Sequence, residues 1–183
     1  MLLNLPNLLS IGRILLVPLL VAVLLTKFDG KEFVGLGVFL LASATDFLDG
    51  YIARRQHKVT KLGQLLDPAA DKILTSAAFI SLVELGLAPA WMVVVIVARE
   101  FAVSAMRSIA ASEHIVLGAI ASAKVKTTLQ VVAISVLIVY NQLGSFERLA
   151  PITLWLALLA SLYSGLEYFL RYGPQVFGRN SGQ

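Results

Sequence analysis

Residues 46–54 read DFLDGYIAR and, after eight intervening residues, positions 63–71 read GQLLDPAAD. These two stretches hold four of the chain's 11 acidic residues, in a sequence whose mean hydropathy is +0.83. A carboxylate near the centre of a bilayer costs about 2.5–3.5 kcal/mol on insertion scales. Four carboxylates in so short a segment of an apolar chain therefore indicate a functional site.

The composition is typical of an integral membrane protein, with 58% hydrophobic and only 14% charged residues. Because a spanning helix needs roughly 20 residues, the 183 residues predict one domain, residues 1–183, of about six such helices. The absence of cysteine excludes disulfides and thiolate metal sites. The net charge of +4 comes without basic runs interleaved with aromatic residues. We therefore expect no nucleic-acid partner, and anionic lipid or phosphate instead.

Six apolar segments separated by turn-forming residues predict an all-α, multi-pass membrane protein. The segments cover residues 8–25, 34–52, 66–85, 90–111, 119–140 and 151–169. Before the first segment, the residues around Asn4 and Pro6 predict a short helix that lies at the membrane interface.

The charges of the loops orient the six segments. Alternate loops and ends place on one side Arg13, Arg54, Arg55, Lys58, Lys61, Arg107, Lys124, Lys126, Arg171 and Arg179, and on the other side only Lys27, Lys31 and Arg148. The side with more positive charge is cytoplasmic by the positive-inside rule. This predicts a protein of the cell membrane with both termini, and the loop that joins the second and third segments, in the cytoplasm.

The spacing of the aspartates predicts a metal site beside that loop. Asp46 and Asp49 are three residues apart on one helix and Asp67 and Asp71 four apart on the next, so each pair shares a helix face. Four clustered carboxylates repel one another and call for a cation. An all-oxygen ligand set favours Mg²⁺ or Mn²⁺ over Zn²⁺. Four carboxylates suffice for two ions, which form a known clamp in phosphoryl chemistry.

The small and basic residues between the aspartates suit a nucleotide diphosphate. Gly50 and Gly63 have no side chain, so backbone or a flat base can come close to the helix. Ala53 adds only a methyl group to the same helix face. Arg54 adds a planar guanidinium group that can donate two hydrogen bonds to one phosphate. Taken singly, helix packing and interface anchoring explain these residues as well. Their joint spacing with the aspartates favours a binding role.

The two stretches together resemble the complete signature of the CDP-alcohol phosphotransferases, which is DxxDGxxAR, eight residues, then GxxxDxxxD. The resemblance implies a six-helix, metal-dependent enzyme that transfers a substituted phosphoryl group from a CDP-linked donor to an alcohol and releases CMP. It implies Asp46, Asp49 and Asp67 as metal ligands, and Asp71 both near the second metal and as general base. It assigns the CMP part of the donor to Gly50, Ala53, Arg54 and Gly63.

The sequences around this signature resemble the bacterial members of the family that form phosphatidylglycerophosphate. They are NLPNLLSIGR at 4–13, DPAADK at 67–72, AREFAVSAMR at 98–107 and KVKTTLQ at 124–130. This resemblance implies CDP-diacylglycerol as donor and glycerol 3-phosphate as acceptor. It also implies that residues at the start of the chain, Asn4, Asn7, Ser10 and Arg13, contact the phosphate or cytidine of the donor. Helix capping and anchoring at the interface explain these residues equally well.

Basic residues outside the signature support an anionic acceptor independently. The candidates for its phosphate are Arg99, Arg107, Lys124, Lys126 and Lys72. Arg99 and Arg107 are eight residues apart and share nearly one helix face. Arginine offers bidentate contacts to phosphate and lysine a point charge. Arg107 and Lys126 are equally explained by side chains that reach anionic head groups, whereas Arg99, beside Glu100 in an apolar helix, needs either a structural partner or the phosphate.

Several alternatives stay open. Inositol phosphate, serine or phosphatidylglycerol would serve as acceptors for the same chemistry. An ion-coupled transporter also keeps aspartates in the membrane, but the short chain without internal repeats argues against it. A membrane prenyltransferase binds diphosphate through metals and aspartates, with different spacing and a longer chain. Small-residue helix faces permit a homodimer without requiring one.

Overall fold

The structure is a computed structural model that describes the backbone of residues 5–56, 61–113, 115, 117–118, 120–144 and 148–177. Within these ranges, the side chains of residues 5–9, 46–56, 61–68 and 177 are not described. The described chain is all-helical, with six α-helices and one short 3-10 helix, Tyr140–Gln142. The α-helices are α1 (Leu5–Leu25), α2 (Lys31–Gln56), α3 (Lys61–Glu84), α4 (Ala90–Ser112), α5 (Ala121–Ile138) and α6 (Leu149–Phe177).

Each predicted apolar segment coincides with one of these helices, which confirms the all-α prediction. The largest difference is at the end of α6, which continues from the predicted end at residue 169 to Phe177. Arg171, Gly173 and Pro174 end the apolar run there, but Tyr172 and Val176 are buried and hold the amphipathic last turns against the protein. Residues 5–10, part of which was predicted as a separate interfacial helix, form the first turns of α1.

Two helices of the described chain are long and apolar enough to cross a membrane, over Ala121–Ile138 and Leu149–Val176. In α1 the apolar stretch is shorter and covers Ser10–Leu25. The helices α2, α3 and α4 carry the charged residues of the candidate site within their length. The prediction of six spans and of the position of the termini therefore stays a prediction.

The main apolar cluster of the described residues includes side chains of all six helices, and a second, smaller cluster joins α4, the α4–α5 connection and the end of α6. The helix α1 packs against α2 and α3, while α6 packs against α4 and α5. Leu20 of α1, Phe39 of α2, Phe79 of α3, Ile96 of α4 and Ile134 of α5 are all buried in one cluster. Burial of each such side chain contributes about 1.5–3 kcal/mol relative to exposure in water.

The outer surface of the helices is also apolar. Leu15, Ile80, Val94 and Leu170 are each at least 60% exposed, and they lie on four different helices. A soluble monomer seldom exposes so many large apolar side chains over a wide surface. This distribution is expected of helices whose outer faces contact lipid.

The helices α4 and α6 run parallel, and this arrangement builds the polar part of the site. Near their beginnings Trp91 and Trp155 meet edge to face, with ring centroids 5.7 Å apart. Further along both helices Arg99 reaches Ser164. Beyond that point, Tyr172 of α6 donates a hydrogen bond of 3.2 Å to the backbone oxygen of Gly118, which ties the α4–α5 connection to α6.

Candidate active site

The aspartate signature occupies the facing ends of α2 and α3, which contact each other and are separated by residues 57–60. Asp46 and Asp49 lie on α2, and Asp67 and Asp71 on α3, so the prediction that each pair lies within one helix is confirmed. That each pair shares a helix face follows from its spacing and stays a prediction. The side chains of Asp46, Asp49 and Asp67 lie outside the described residues. The four-carboxylate pocket therefore stays a prediction.

Asp71 is the signature residue whose side chain is described. It is half-buried on α3, and the hydroxyl of Thr75, one turn later, donates a hydrogen bond of 3.0 Å to its backbone oxygen. Its carboxylate lies close enough to Lys126 of α5 for the two charges to interact. Asp71 thus connects the aspartate signature to the basic residues of α4 and α5.

The predicted donor residues lie on three helices. Gly50, Ala53 and Arg54 are on α2, Gly63 is on α3 and Asn7 is on α1, all outside the described side chains. Ser10 is on α1 and is completely buried. Their meeting in one donor site stays a prediction.

Arg13 was predicted to lie among the cytoplasmic charges and, from the family resemblance, to be a possible contact of the donor. In the structure it lies within α1, and its side chain is 1% exposed. It interacts with other groups of the protein, as does Ser10 one turn earlier. Its position inside the predicted apolar segment 8–25 was the signal that could have identified it as a buried residue.

The five basic residues predicted to bind the acceptor differ in their burial. Lys126 is buried and Arg99 nearly so, with side chains 7% and 9% exposed, and both contact the same oxygen of Glu100. Arg107 and Lys124, further toward the α4–α5 connection, are exposed. Lys72, on α3, is half-buried.

Glu100 is the centre of the buried group. Its Oε1 atom accepts hydrogen bonds from Arg99 Nη1 at 3.1 Å, from Lys126 Nζ and from Gln130 Nε2 at 3.4 Å. This burial argues against Lys126 as a residue that reaches lipid head groups, whereas that explanation stays open for Arg107. The sequence reasoning named Glu100 only as a neighbour of Arg99. The available signal was Lys126 and Gln130, four residues apart on the next helix and able to face one partner.

The network continues from α4 to α6. Arg99 Nη2 donates to the hydroxyl of Ser164 at 2.8 Å, and Ser122 of α5 donates to the same hydroxyl at 3.3 Å. Buried charges need partners of this kind, because an uncompensated charge in a low-dielectric interior is strongly unfavourable. The described part of the site is therefore a pair of buried cations held by one carboxylate and braced by three helices.

A metal centre cannot be built from the described side chains alone, since no three His, Asp or Glu among them lie together. Three of the four predicted ligands are outside that set. The donor chemistry that the signature offers is four carboxylates on two adjoining helices, which fits Mg²⁺ or Mn²⁺.

A family model described as CDP-alcohol phosphatidyltransferase matches residues 3–163. The chain belongs to the CDP-alcohol phosphatidyltransferase family. The resemblance of the aspartate signature to this family is thereby confirmed. The match covers α1 to α5 and the first half of α6, and it ends one residue before Ser164.

Relatives of this CDP-alcohol phosphatidyltransferase include a CDP-diacylglycerol–glycerol-3-phosphate 3-phosphatidyltransferase of Bacillus subtilis, which is 43% identical over 91% of this chain and 93% of its own length. A protein of the same name from Rickettsia bellii is 36% identical over 91% of this chain and 93% of its own length. A rice protein named cardiolipin synthase (CMP-forming) is 37% identical over 86% of this chain but 52% of its own length.

Proposed function

We propose that the protein transfers the phosphatidyl group of CDP-diacylglycerol to sn-glycerol 3-phosphate, giving phosphatidylglycerophosphate and CMP. The observation that carries this proposal is the complete aspartate signature on α2 and α3. The chain is also 43% identical, over 91% of its length, to the Bacillus subtilis protein whose name states this activity. The buried basic group beside Asp71 supports an acceptor that bears a phosphate.

The reaction is a direct displacement at phosphorus. The free primary hydroxyl of glycerol 3-phosphate attacks the phosphorus that carries the diacylglycerol, a new P–O bond forms, and the bond from that phosphorus to the CMP phosphate breaks. The Asp71 carboxylate accepts the proton of the attacking hydroxyl. CMP leaves with the electron pair of the broken bond.

The donor is held by residues of the signature and of α1. Arg54 contacts the diphosphate, and the lack of bulk at Gly50, Ala53 and Gly63 makes room for the CMP part. Asn7 and Ser10 complete the donor site from α1. The diacylglycerol tails remain in the lipid beside the apolar outer faces of the helices.

Asp46, Asp49, Asp67 and Asp71 would hold Mg²⁺ or Mn²⁺, as two ions. The fit rests on the donor set, which consists of four carboxylates in a chain without cysteine. A bound divalent cation supplies positive charge against the diphosphate oxygens and increases the acidity of a nearby hydroxyl. The aspartates would hold the positive charge of the cations where α2 and α3 adjoin.

The acceptor phosphate is bound by Arg99, Arg107, Lys124, Lys126 and Lys72. The two exposed residues, Arg107 and Lys124, are accessible to an acceptor that arrives from water. The buried pair, Arg99 and Lys126, provides fixed charge deeper in the site. Charge-assisted contacts of arginine with phosphate are stronger than neutral hydrogen bonds.

The protein spans the cell membrane six times, with both termini and the active site at the cytoplasmic side and the first turns of α1 at the interface. The support is the distribution of loop charges, the two helices apolar enough to span and the exposed apolar side chains of the others. The small-residue helix faces allow a homodimer.

The test is metal-dependent CMP release by purified protein supplied with CDP-diacylglycerol. Glycerol 3-phosphate, inositol phosphate, serine and phosphatidylglycerol are offered in parallel. We expect rapid release of CMP with glycerol 3-phosphate and with none of the other three acceptors. Release of CMP with phosphatidylglycerol and no other acceptor would instead favour the activity that the name of the rice relative states. No release with any acceptor would refute the proposal that the protein is an enzyme of this kind.

A further inference from the structure

The Arg99 side chain is fixed by residues of two helices. Its Nη1 atom donates to Glu100 on its own helix at 3.1 Å, and its Nη2 atom donates to Ser164 on α6 at 2.8 Å. Ser164 is completely buried, and its hydroxyl is itself held by Ser122 of α5 at 3.3 Å. A long side chain with several rotatable bonds is thus restricted to one direction.

Gly165, the next residue of α6, provides the space that the Arg99 side chain occupies. A Cβ atom at this position would lie 2.9 Å from Arg99 Cγ, 3.2 Å from Nε and 3.6 Å from Cδ. The preferred separation of two carbon atoms is about 3.5–4.0 Å. A residue larger than glycine therefore requires the stem of Arg99, which carries the guanidinium, to shift.

We propose that Ser164 and Gly165 of α6 are positioning residues for the phosphatidyl transfer, and that they act by fixing the direction of the Arg99 guanidinium toward the acceptor phosphate. This inference rests on the proposed function, in which Arg99 binds that phosphate. The family match ends at residue 163, so neither residue belongs to the part of the chain that the family model covers. In this proposal neither residue contacts the acceptor itself, and both act through Arg99.

A guanidinium that is already oriented loses less freedom when phosphate binds, so its contacts contribute more to affinity. Small displacements of a binding group lower rates and affinities steeply. The expected consequence of losing this orientation is weaker binding of the acceptor, with binding of the donor unaffected.

The experiment measures KM for both substrates in Gly165→Ala and Ser164→Ala. Gly165→Ala is expected to raise the KM for glycerol 3-phosphate about tenfold and to leave the KM for CDP-diacylglycerol within about twofold. Ser164→Ala removes only the hydroxyl oxygen and is expected to shift the same KM in the same direction.

Two alanine substitutions at other glycines serve as matched controls. Gly173→Ala, also on α6, places its Cβ in open space. Gly35→Ala, on α2, places its Cβ 2.7 Å from Leu24 Cδ2, a comparable contact away from Arg99. Neither is expected to change the KM for glycerol 3-phosphate.

A double-mutant cycle decides whether the effect acts through Arg99. In an Arg99→Ala background the contact with the added methyl no longer exists, so Gly165→Ala is expected to cause no further rise in KM. An equal rise in both backgrounds would show a general packing effect and overturn the proposal. A KM for the acceptor that is unchanged in Arg99→Ala would overturn it as well.

The outcomes separate this inference from the proposed function. A wild-type protein that does not use glycerol 3-phosphate refutes the proposed function, and the inference falls with it. A wild-type protein that uses glycerol 3-phosphate, with Gly165→Ala equal to Gly173→Ala, refutes the inference alone. If Gly165→Ala does not fold, an unchanged acceptor KM in Ser164→Ala refutes the inference.

Discussion

Asp71 is the residue that would link the two halves of the proposed site, the aspartate signature and the basic residues of α4 and α5. Its charge acts on Lys126, and Lys126 shares the Glu100 carboxylate with Arg99. A small acceptor carries its hydroxyl and its phosphate only a few bonds apart. A base next to a basic group is therefore the arrangement that such an acceptor requires.

Asp71→Asn is expected to lower kcat by about 100-fold or more, since an amide cannot accept the hydroxyl proton and general-base catalysis contributes at least this factor. The measurement is initial rate of CMP release at saturating substrates, with circular dichroism to verify folding. Asp29→Asn, an exposed residue between α1 and α2, is the control. A folded Asp71→Asn variant with normal kcat would remove Asp71 from the base role.

Arg107→Ala is expected to raise the KM for glycerol 3-phosphate about tenfold and to leave the KM for CDP-diacylglycerol unchanged, because a charge-assisted hydrogen bond contributes about 1.5–3 kcal/mol. Arg107 is exposed and on α4. Arg148→Ala, exposed just before α6, serves as its control. Equal increases in both KM values would instead indicate a contact of Arg107 with lipid head groups.

The helices themselves were predictable from the sequence, and their polar contacts were not. Apolar runs are a local property, so residues 90–111 predicted α4 to within one residue of its observed end at Ser112. The bond between Arg99 and Ser164 depends on which helices are neighbours and in what register. No local pattern contains that information. The resemblance to the family supplied the roles of the aspartates, three of which lie outside the described side chains.

The ion pair between Glu100 of α4 and Lys126 of α5 leads to a prediction about stability. Lys126→Met removes one of the two cations that compensate the buried Glu100 carboxylate. Loss of one partner of a buried ion pair costs about 3–5 kcal/mol, and because Arg99 still compensates Glu100 we expect a decrease of about 2 kcal/mol in the free energy of unfolding.

Lys124→Met, an exposed position on the same helix, is the matched control for this change, with an expected effect within about 0.5 kcal/mol. Denaturant titration of both variants in detergent gives the comparison. Equal stabilities of the two variants would show that Lys126 is not bound to Glu100 in the folded protein.

At the scale of the whole molecule, the outer surface and the loop charges favour a bundle that crosses the membrane with its site at the cytoplasmic face. The apolar exterior agrees with lipid contact. The natural absence of cysteine makes the topology directly measurable. A single introduced cysteine is then the only thiol in the chain.

Lys27→Cys, between α1 and α2, and Glu113→Cys, between α4 and α5, are both exposed positions suited to labelling. With a maleimide that does not cross membranes, we expect labelling of the first in intact cells and of the second only in inverted vesicles. Both cysteines labelled from the same side would contradict the alternating topology.

The most direct test of the central claim uses glycerol 3-phosphate labelled with ¹⁸O in its free primary hydroxyl. Purified protein is given this acceptor with CDP-diacylglycerol, and mass spectrometry is applied to the lipid product and to CMP. Direct transfer to glycerol 3-phosphate predicts phosphatidylglycerophosphate that carries the label, and an equal amount of unlabelled CMP. A lipid product without the label, or phosphatidic acid in place of phosphatidylglycerophosphate, would contradict direct transfer to glycerol 3-phosphate.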